Sequence, residues 1–274
     1  MITRTKARMT VDLYDNVYGD YGSHAEAAVR RATYGEDIGQ SSWMTAEEWL
    51  GFADRLGVGP DSHVLEVGSG SGGPAVYLAQ MRECRITGVD INEHGIRNAQ
   101  RLATARGITD RVIFRTIDAS HPLPFADGAF DAVASNDAMC HIANRLSVLR
   151  DWRRLLRPGG RMLFTDAMIV TGLVTHEELA TRSSIGRYVF LPPGENERLI
   201  REAGFVLLQA EDVTPAAASI AARWHGAREQ HRARLVEREG AENFDGLQRF
   251  LACVRRLSEE RRLSRFAYLA EKAT

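Results

Sequence analysis

The chain has 274 residues, 44% hydrophobic and 26% charged, and its 35 basic and 36 acidic side chains leave a formal net charge of −1. That balance fits a globular protein long enough to bury a full core without disulfides or structural metal. It excludes an overall field that would draw in nucleic acid or an anionic membrane. Cys84, Cys140 and Cys253 are far apart and include no CxxC pair, which argues against a disulfide framework and for a reducing compartment. The N-terminal stretch lacks an apolar core of signal-peptide length, and no run approaches membrane-span length, so a cytoplasmic location is expected.

Residues 1–44 are polar, carry Tyr14, Tyr18, Tyr21 and Tyr34 among mixed charges, and read as an ordered cap. Thr45-Ala-Glu-Glu then opens a helix running to about Leu56, with Trp49 and Leu50 facing inward. Short apolar runs at 63–67, 85–89, 112–116, 130–135 and 161–165 read as strands, and segments 74–81, 93–106 and 146–156 as helices. Strands alternating with helices at this spacing imply crossover connections and a parallel sheet, so the fold class is α/β. Residues 167–193 break the rhythm and end in Leu191-Pro-Pro-Gly, which must interrupt a helix. A helix at 196–203, a strand at 205–210, an Arg-, Glu- and Ala-rich helical region at 215–262 and a last strand at 264–270 complete the chain. The expected organisation is a cap (1–44) over a core (45–274), with lid segments at 167–193 and 215–262.

The first strand runs into Glu66-Val67-Gly68-Ser69-Gly70-Ser71-Gly72-Gly73, and Asp90 ends the second strand about twenty residues on. Glycines there allow a tight turn and close backbone approach, and a carboxylate at the second strand's end can accept both hydroxyls of a ribose. The pattern predicts an adenosine-containing ligand at the carboxyl edge of the sheet. Read literally, GxGxxG is also the dinucleotide fingerprint, so an NAD(P)-dependent oxidoreductase is the first rival. Glu66 argues against it: a carboxylate before the glycines would repel a pyrophosphate but could engage a cationic amino acid moiety. Tyr268-Leu-Ala-Glu-Lys272 has the spacing of a short-chain dehydrogenase pair, yet falls in the last strand and at the chain end.

VLEVGSGSGGPAVYLAQ, ITGVDIN, Ile117-Asp118-Ala119 with Leu123-Pro124-Phe125, FDAVASNDAMCHI and LLRPGGRMLFTD stand in order over residues 45–211. Together they resemble the motifs of class I S-adenosylmethionine-dependent methyltransferases. The resemblance implies a Rossmann-like, seven-stranded, mostly parallel sheet with an antiparallel last strand, helices on both faces and a helical lid. It also implies S-adenosyl-L-methionine as cofactor and S-adenosyl-L-homocysteine as product. Gly68 and Gly70, with Ser69 between them, would lie near the methionine part and Asp90, followed by Ile91, at the ribose. Asp118 and Ala119 would flank the adenine, and Asn136 would face the cofactor. Ser135-Asn-Asp-Ala-Met-Cys-His141 and Tyr34-Gly-Glu-Asp-Ile-Gly-Gln40 further resemble segments of N-methyltransferases acting on phosphoethanolamine and on sarcosine or dimethylglycine. In that group the second segment, which includes Gln40, covers the cofactor.

Methyl transfer from a sulfonium is an in-line displacement, in which alignment and exclusion of water carry most of the catalysis. An amine must be neutral when it attacks, and a histidine can take its proton. If the segment after the fourth strand is helical, Asp137 and His141 share a face: Asp137 would anchor a cationic substrate and His141 relay a proton. Tyr14, Tyr18 or Tyr21 would assist it, as a cap tyrosine does in the family. Arg182, Arg187 and Tyr188, with Trp224 and His225, are candidates for an acidic or aromatic substrate. The other histidines show no pairing at ligand spacing, and no metal site is expected. The reading is methyl transfer to a small molecule, first to nitrogen, with oxygen or carbon as the alternative. A protein that keeps the cofactor fold without methylating is a further class. The expected partner is a small-molecule acceptor, with no nucleic acid and no membrane span; a homo-oligomer is left open.

Overall fold

Apolar runs of five or six residues bounded by turn formers are too short for buried helices, and they assemble into one sheet. This computed structural model describes residues 24–273. β1 (His63–Val67), β2 (Arg85–Asp90), β3 (Val112–Thr116), β4 (Phe130–Ser135) and β5 (Leu156–Val170) pair in parallel. β7 (Leu263–Glu271) is inserted antiparallel between β5 and β6 (Val206–Asp212), giving the order β3-β2-β1-β4-β5-β7-β6. The chain leaves β1 toward β2 and β3 on one side and returns through β4 on the other. The carboxyl ends of β1 and β4 therefore border the switch-point crevice, where open α/β sheets bind ligands.

Both faces of the sheet are covered. The helices are α1 (His24–Tyr34), α2 (Ala46–Leu56), α3 (Gly73–Arg82), α4 (Glu93–Ala105), α5 (Arg145–Leu155), α6 (His176–Arg182), α7 (Glu195–Glu202), α8 (Thr214–Gln230), α9 (Arg232–Glu239) and α10 (Ala241–Glu259). Val64, Ala132 and Ala134 pack with Trp49 and Phe52 of α2, Leu78 of α3 and Ile96 of α4. Their strand neighbours Leu65, Val67 and Val133 point the other way, onto Leu149 and Trp152 of α5 and Ile200 of α7. Alternate residues thus feed two cores, which is why these strands read as nearly continuous apolar runs. Thr45 caps α2 as its sequence predicts, its hydroxyl accepting from the Glu48 amide at 3.2 Å.

A third core forms beyond the carboxyl edge, where Trp43 and Ile185 pack with Ile220 of α8 and Phe250 and Leu251 of α10. Helix α1 lies against α8. Two segments differ from the sequence expectation. β5 runs from Leu156 to Val170, past the expected 161–165 at both ends, so the start of the 167–193 segment is strand; Asp166, which breaks its apolar run, is ion-paired inside the protein with Arg145 and accepts a hydrogen bond from Asn196. The 215–262 region is three helices, divided at His231 and at Gly240, whose φ of 81° ends α9.

Candidate active site

The loop after β1 turns because Gly68, Gly70 and Gly72 adopt φ values of 78°, 52° and 76°, open to glycine and costly to other residues. The Gly68 and Ser69 amides both donate to the Val89 carbonyl, at 2.8 and 3.1 Å, tying the loop to β2. A Cβ on Gly68 would stand 2.3 Å from that of Ala138, so the turn after β4 packs directly on the loop. Asp90 braces the same loop: one carboxylate oxygen accepts from the Gly70 amide and the other from Asn92, each at 2.8 Å. Burial raises its pKa against those bonds. Ile91 beside it is 67% exposed. Asp118 sits exposed after β3, where hydrogen bonds from Ser120 lower its pKa and the Ser120 amide donates to it at 2.9 Å. The preceding Ile117 amide donates to the Asp90 carbonyl at 2.9 Å, which brings Asp118 and Ala119 to the edge beside Asp90.

Around this loop lie polar groups whose hydrogen-bonding capacity is unmet. Glu66 Oε2, Ser69 Oγ, Ser135 Oγ and both amide atoms of Asn136 are buried without a partner among the described residues. All five atoms belong to the ends of β1 and β4 or to the glycine loop. Buried polar groups are nearly always paired, so such a cluster marks where a polar ligand belongs. Glu66 is 2% exposed; burial, with the Asp90 charge second, pushes its pKa to about 8. An ammonium group would relieve that strain and a pyrophosphate would worsen it. The residues present therefore fit S-adenosylmethionine, with an ammonium for Glu66 and ribose hydroxyls for Asp90.

Residues 35–40 close on the start of α3, where a Cβ on Gly73 would meet the Ile38 carbonyl oxygen at 2.1 Å. Gln40 is buried, but its amide is committed to this segment: Oε1 accepts from the Ile38 amide at 2.9 Å and Nε2 donates to the Glu36 carbonyl at 3.2 Å. It shapes the loop through its own backbone.

The segment after β4 is not the helix that would align Asp137 with His141. It is one 3₁₀ turn, Met139–His141, entered by Asp137 at φ 53°. The Asp137 carboxylate accepts from the Trp43 amide (2.9 Å), the Thr165 hydroxyl (2.8 Å) and Arg265 Nε (2.9 Å). Arg265, itself 1% exposed, also grips both oxygens of Glu48 at 2.9 Å. Burial raises the Glu48 pKa against this pairing. Asp137 is thereby the hub joining the turn to β5, β7 and the segment before α2. Glu48, Thr165 and Arg265 escape sequence reasoning, since their only signal is a charge set in an otherwise apolar last strand.

His141 is fixed by the strap that follows α6. Its Nδ1 lies 2.7 Å from the Arg187 carbonyl, its ring sits 4.6 Å from that of Tyr188, and the Val189 amide donates to the Cys140 carbonyl at 2.8 Å. A carbonyl can only accept, so Nδ1 carries the proton of the neutral ring and Nε2 the basic lone pair. Burial first, and the Arg182 charge, hold its pKa below the ordinary histidine value. Beside His141 lies a cavity lined by Ser42, Trp43, Asp137, Cys140, Arg182 and Tyr188, among others. The structure thus brings Asp137, Tyr188 and the Arg187 backbone together near His141. Tyr14, Tyr18 and Tyr21 lie outside the described residues.

A family model described as a methyltransferase domain matches residues 65–164. The chain is 32% identical over 225 residues to 27-O-demethylrifamycin SV methyltransferase of Amycolatopsis mediterranei (strain S699), covering 76% of this chain and 82% of that one. It is 30% identical over 187 residues to sarcosine/dimethylglycine N-methyltransferase of Halorhodospira halochloris, covering 65% and 63% respectively. In fold it is similar to phosphoethanolamine N-methyltransferase 2 of Haemonchus contortus, with TM-score 0.79 at 20% identity, over 94% of this chain and 59% of that one.

Proposed function

The chain belongs to the methyltransferase domain family, enzymes that move a methyl group from S-adenosylmethionine to a small molecule, and from that premise we propose that its acceptor atom is an amine nitrogen and its general base His141. One observation carries this reading: a half-buried histidine whose pKa burial lowers, with Nδ1 turned to the Arg187 carbonyl, next to Cys140 and Tyr188, which line a cavity. A base must be unprotonated to act, and its tautomer leaves Nε2 to receive the proton.

When bound, S-adenosylmethionine supplies a methyl group made electrophilic by its sulfonium. On this reading Glu66 holds the ammonium and Asp90 both ribose hydroxyls. Gly68, Ser69 and Gly70 allow close backbone approach, Asn136 faces the ligand, and Ile91, Asp118 and Ala119 border the adenine. Asp137 contributes by fixing Trp43 and the turn, and thereby the wall of the acceptor cavity. Residues 1–44, with Gln40 and a tyrosine among Tyr14, Tyr18 and Tyr21, form the cap; 167–193, including Arg187 and Tyr188, and 215–262 form the lids that exclude water.

A second reading, methylation of oxygen, is favoured by the rifamycin-modifying relative, which the chain matches over most of its length. His141 could deprotonate a hydroxyl equally well. We assign the protein to the cytoplasm on its three buried cysteine thiols. Among the described residues no helix is long and apolar enough to cross a membrane. The test is transfer of labelled methyl from S-adenosylmethionine to a panel of small amines and phenols, with His141→Ala in parallel. Labelled amines, and turnover lowered roughly 10²–10⁴-fold in the variant, support the proposal; labelled phenols alone would replace nitrogen by oxygen.

A further inference from the structure

Among the described residues Arg182, at the end of α6, is a buried cation without a counter-ion. It is 1% exposed, and its Nε and Nη1 groups have no hydrogen-bond partner among the described residues. The guanidinium carbon lies 4.8 Å from the ring centre of Phe250, 5.1 Å from Tyr188 and 5.8 Å from Trp43. Aromatic faces stabilise a cation by their quadrupoles, but they do not accept the in-plane N–H groups of a guanidinium. Those donors need an oxygen acceptor, and a buried donor without one is costly.

The acids nearby are already engaged. Asp137 is held by Arg265, and Asp166 by Arg145. Glu178, on the same helix as Arg182, is gripped by Arg256 and Arg262 at 3.0 and 2.7 Å. Arg182 lines the cavity beside His141, and so does Ser42, whose hydroxyl is also buried without a partner among the described residues. Two sets of unmet donors thus border one small space. Tyr188 joins this space to the base, since its ring stands against His141 as well as under Arg182.

We propose that Arg182 is the anchor for an oxyanion on the acceptor, a carboxylate or a phosphate, with Ser42 as a further donor, so that the enzyme selects acceptors carrying a negative group near the atom to be methylated. This rests on the methyl-transfer reading of the same site and narrows its substrate class. The anion would complete the ion pairing that the fold leaves open, and binding it would orient the nucleophile toward His141. A guanidinium suits this task because it is always charged and matches carboxylate and phosphate geometry.

The test titrates protein saturated with S-adenosylhomocysteine, by calorimetry, with matched pairs: 4-hydroxybenzoate and 4-hydroxybenzamide, sarcosine and sarcosinamide, phosphoethanolamine and ethanolamine. In at least one pair the member carrying the carboxylate or phosphate is expected to bind ten-fold or more tightly than the partner lacking it. That preference should vanish in Arg182→Gln and persist in reduced form in Arg182→Lys, while S-adenosylhomocysteine affinity stays within about three-fold of wild type in both. Equal binding within every pair, no binding of any member carrying the carboxylate or phosphate, or a preference surviving in Arg182→Gln would overturn the proposal. The wild-type comparison decides even if a variant fails to fold. A wild-type protein that does not bind S-adenosylhomocysteine at all would instead count against the methyl-transfer reading.

Discussion

Half-buried His141 and buried Glu66 are both ionisable groups whose pKa burial shifts toward the neutral form, and each leads to a measurable pH effect. Burial places the His141 pKa below about 6.5, so the ring is the free base at neutral pH and loses that state only on acidification. At saturating S-adenosylmethionine and acceptor the rate should therefore be flat above neutrality and fall only at pH below that ordinary value. A rate that already declines between pH 8 and 7 would conflict with His141 as the base. Glu66 behaves in the opposite sense: with its pKa raised to about 8, it is mostly protonated at pH 7. Bringing a ligand ammonium against it favours the carboxylate, so binding should release close to one proton, and affinity should rise with pH up to about 8. Titrating S-adenosylhomocysteine at pH 7 in buffers of different ionisation enthalpy measures that release. Glu66→Gln should abolish it and weaken binding; unchanged release in the variant would show that another group titrates.

At the level of elements, the glycine loop and the strap after α6 do the positioning. Gly68 combines a left-handed backbone with a Cβ position 2.3 Å from Ala138, whereas Gly107, at φ 66°, has open space around it. Gly107→Ala should cost only the backbone strain, roughly 1–2 kcal/mol. Gly68→Ala should cost more and also weaken S-adenosylhomocysteine binding at least ten-fold, because the turn carrying Asp137 and His141 would be pushed away. Thermal unfolding and calorimetry on the two variants check this, and equal effects would mean that the Gly68 contact with Ala138 is unimportant. The loop is legible in sequence because its glycines, Glu66 and Asp90 lie within 25 residues and obey local geometry. The strap is not legible: His141 meets Arg187 across 46 positions, and Asp137 meets Arg265 across 128. A reading along the chain takes Asp137 for a free carboxylate, whereas long-range pairing engages it. The same blindness hides Asp166, which tertiary partners neutralise inside β5.

For the molecule as a whole, alternation of short apolar runs with amphipathic helices predicts the strands other than β5 and the core helices to within a few residues, since each obeys its own period. The order in which strands lie in the sheet is not a local property; the antiparallel seventh strand was expected from family resemblance, and β7 indeed lies between β5 and β6. The three-helix division of 214–259 and the third core are not legible in the sequence because their apolar positions serve one another across the chain. The central claim is that S-adenosylmethionine lies at the crevice between β1 and β4, held by Asp90 and Glu66. Calorimetric titration of wild type and Asp90→Ala with S-adenosylhomocysteine, and of wild type with NADH, tests it most directly. Micromolar binding of S-adenosylhomocysteine and none of NADH is predicted for wild type. In Asp90→Ala the affinity should fall about 100-fold or more, since each of two charge-assisted hydrogen bonds contributes roughly 1.5–3 kcal/mol. Binding of NADH in place of S-adenosylhomocysteine, or an Asp90→Ala variant that binds as tightly as wild type, would contradict it.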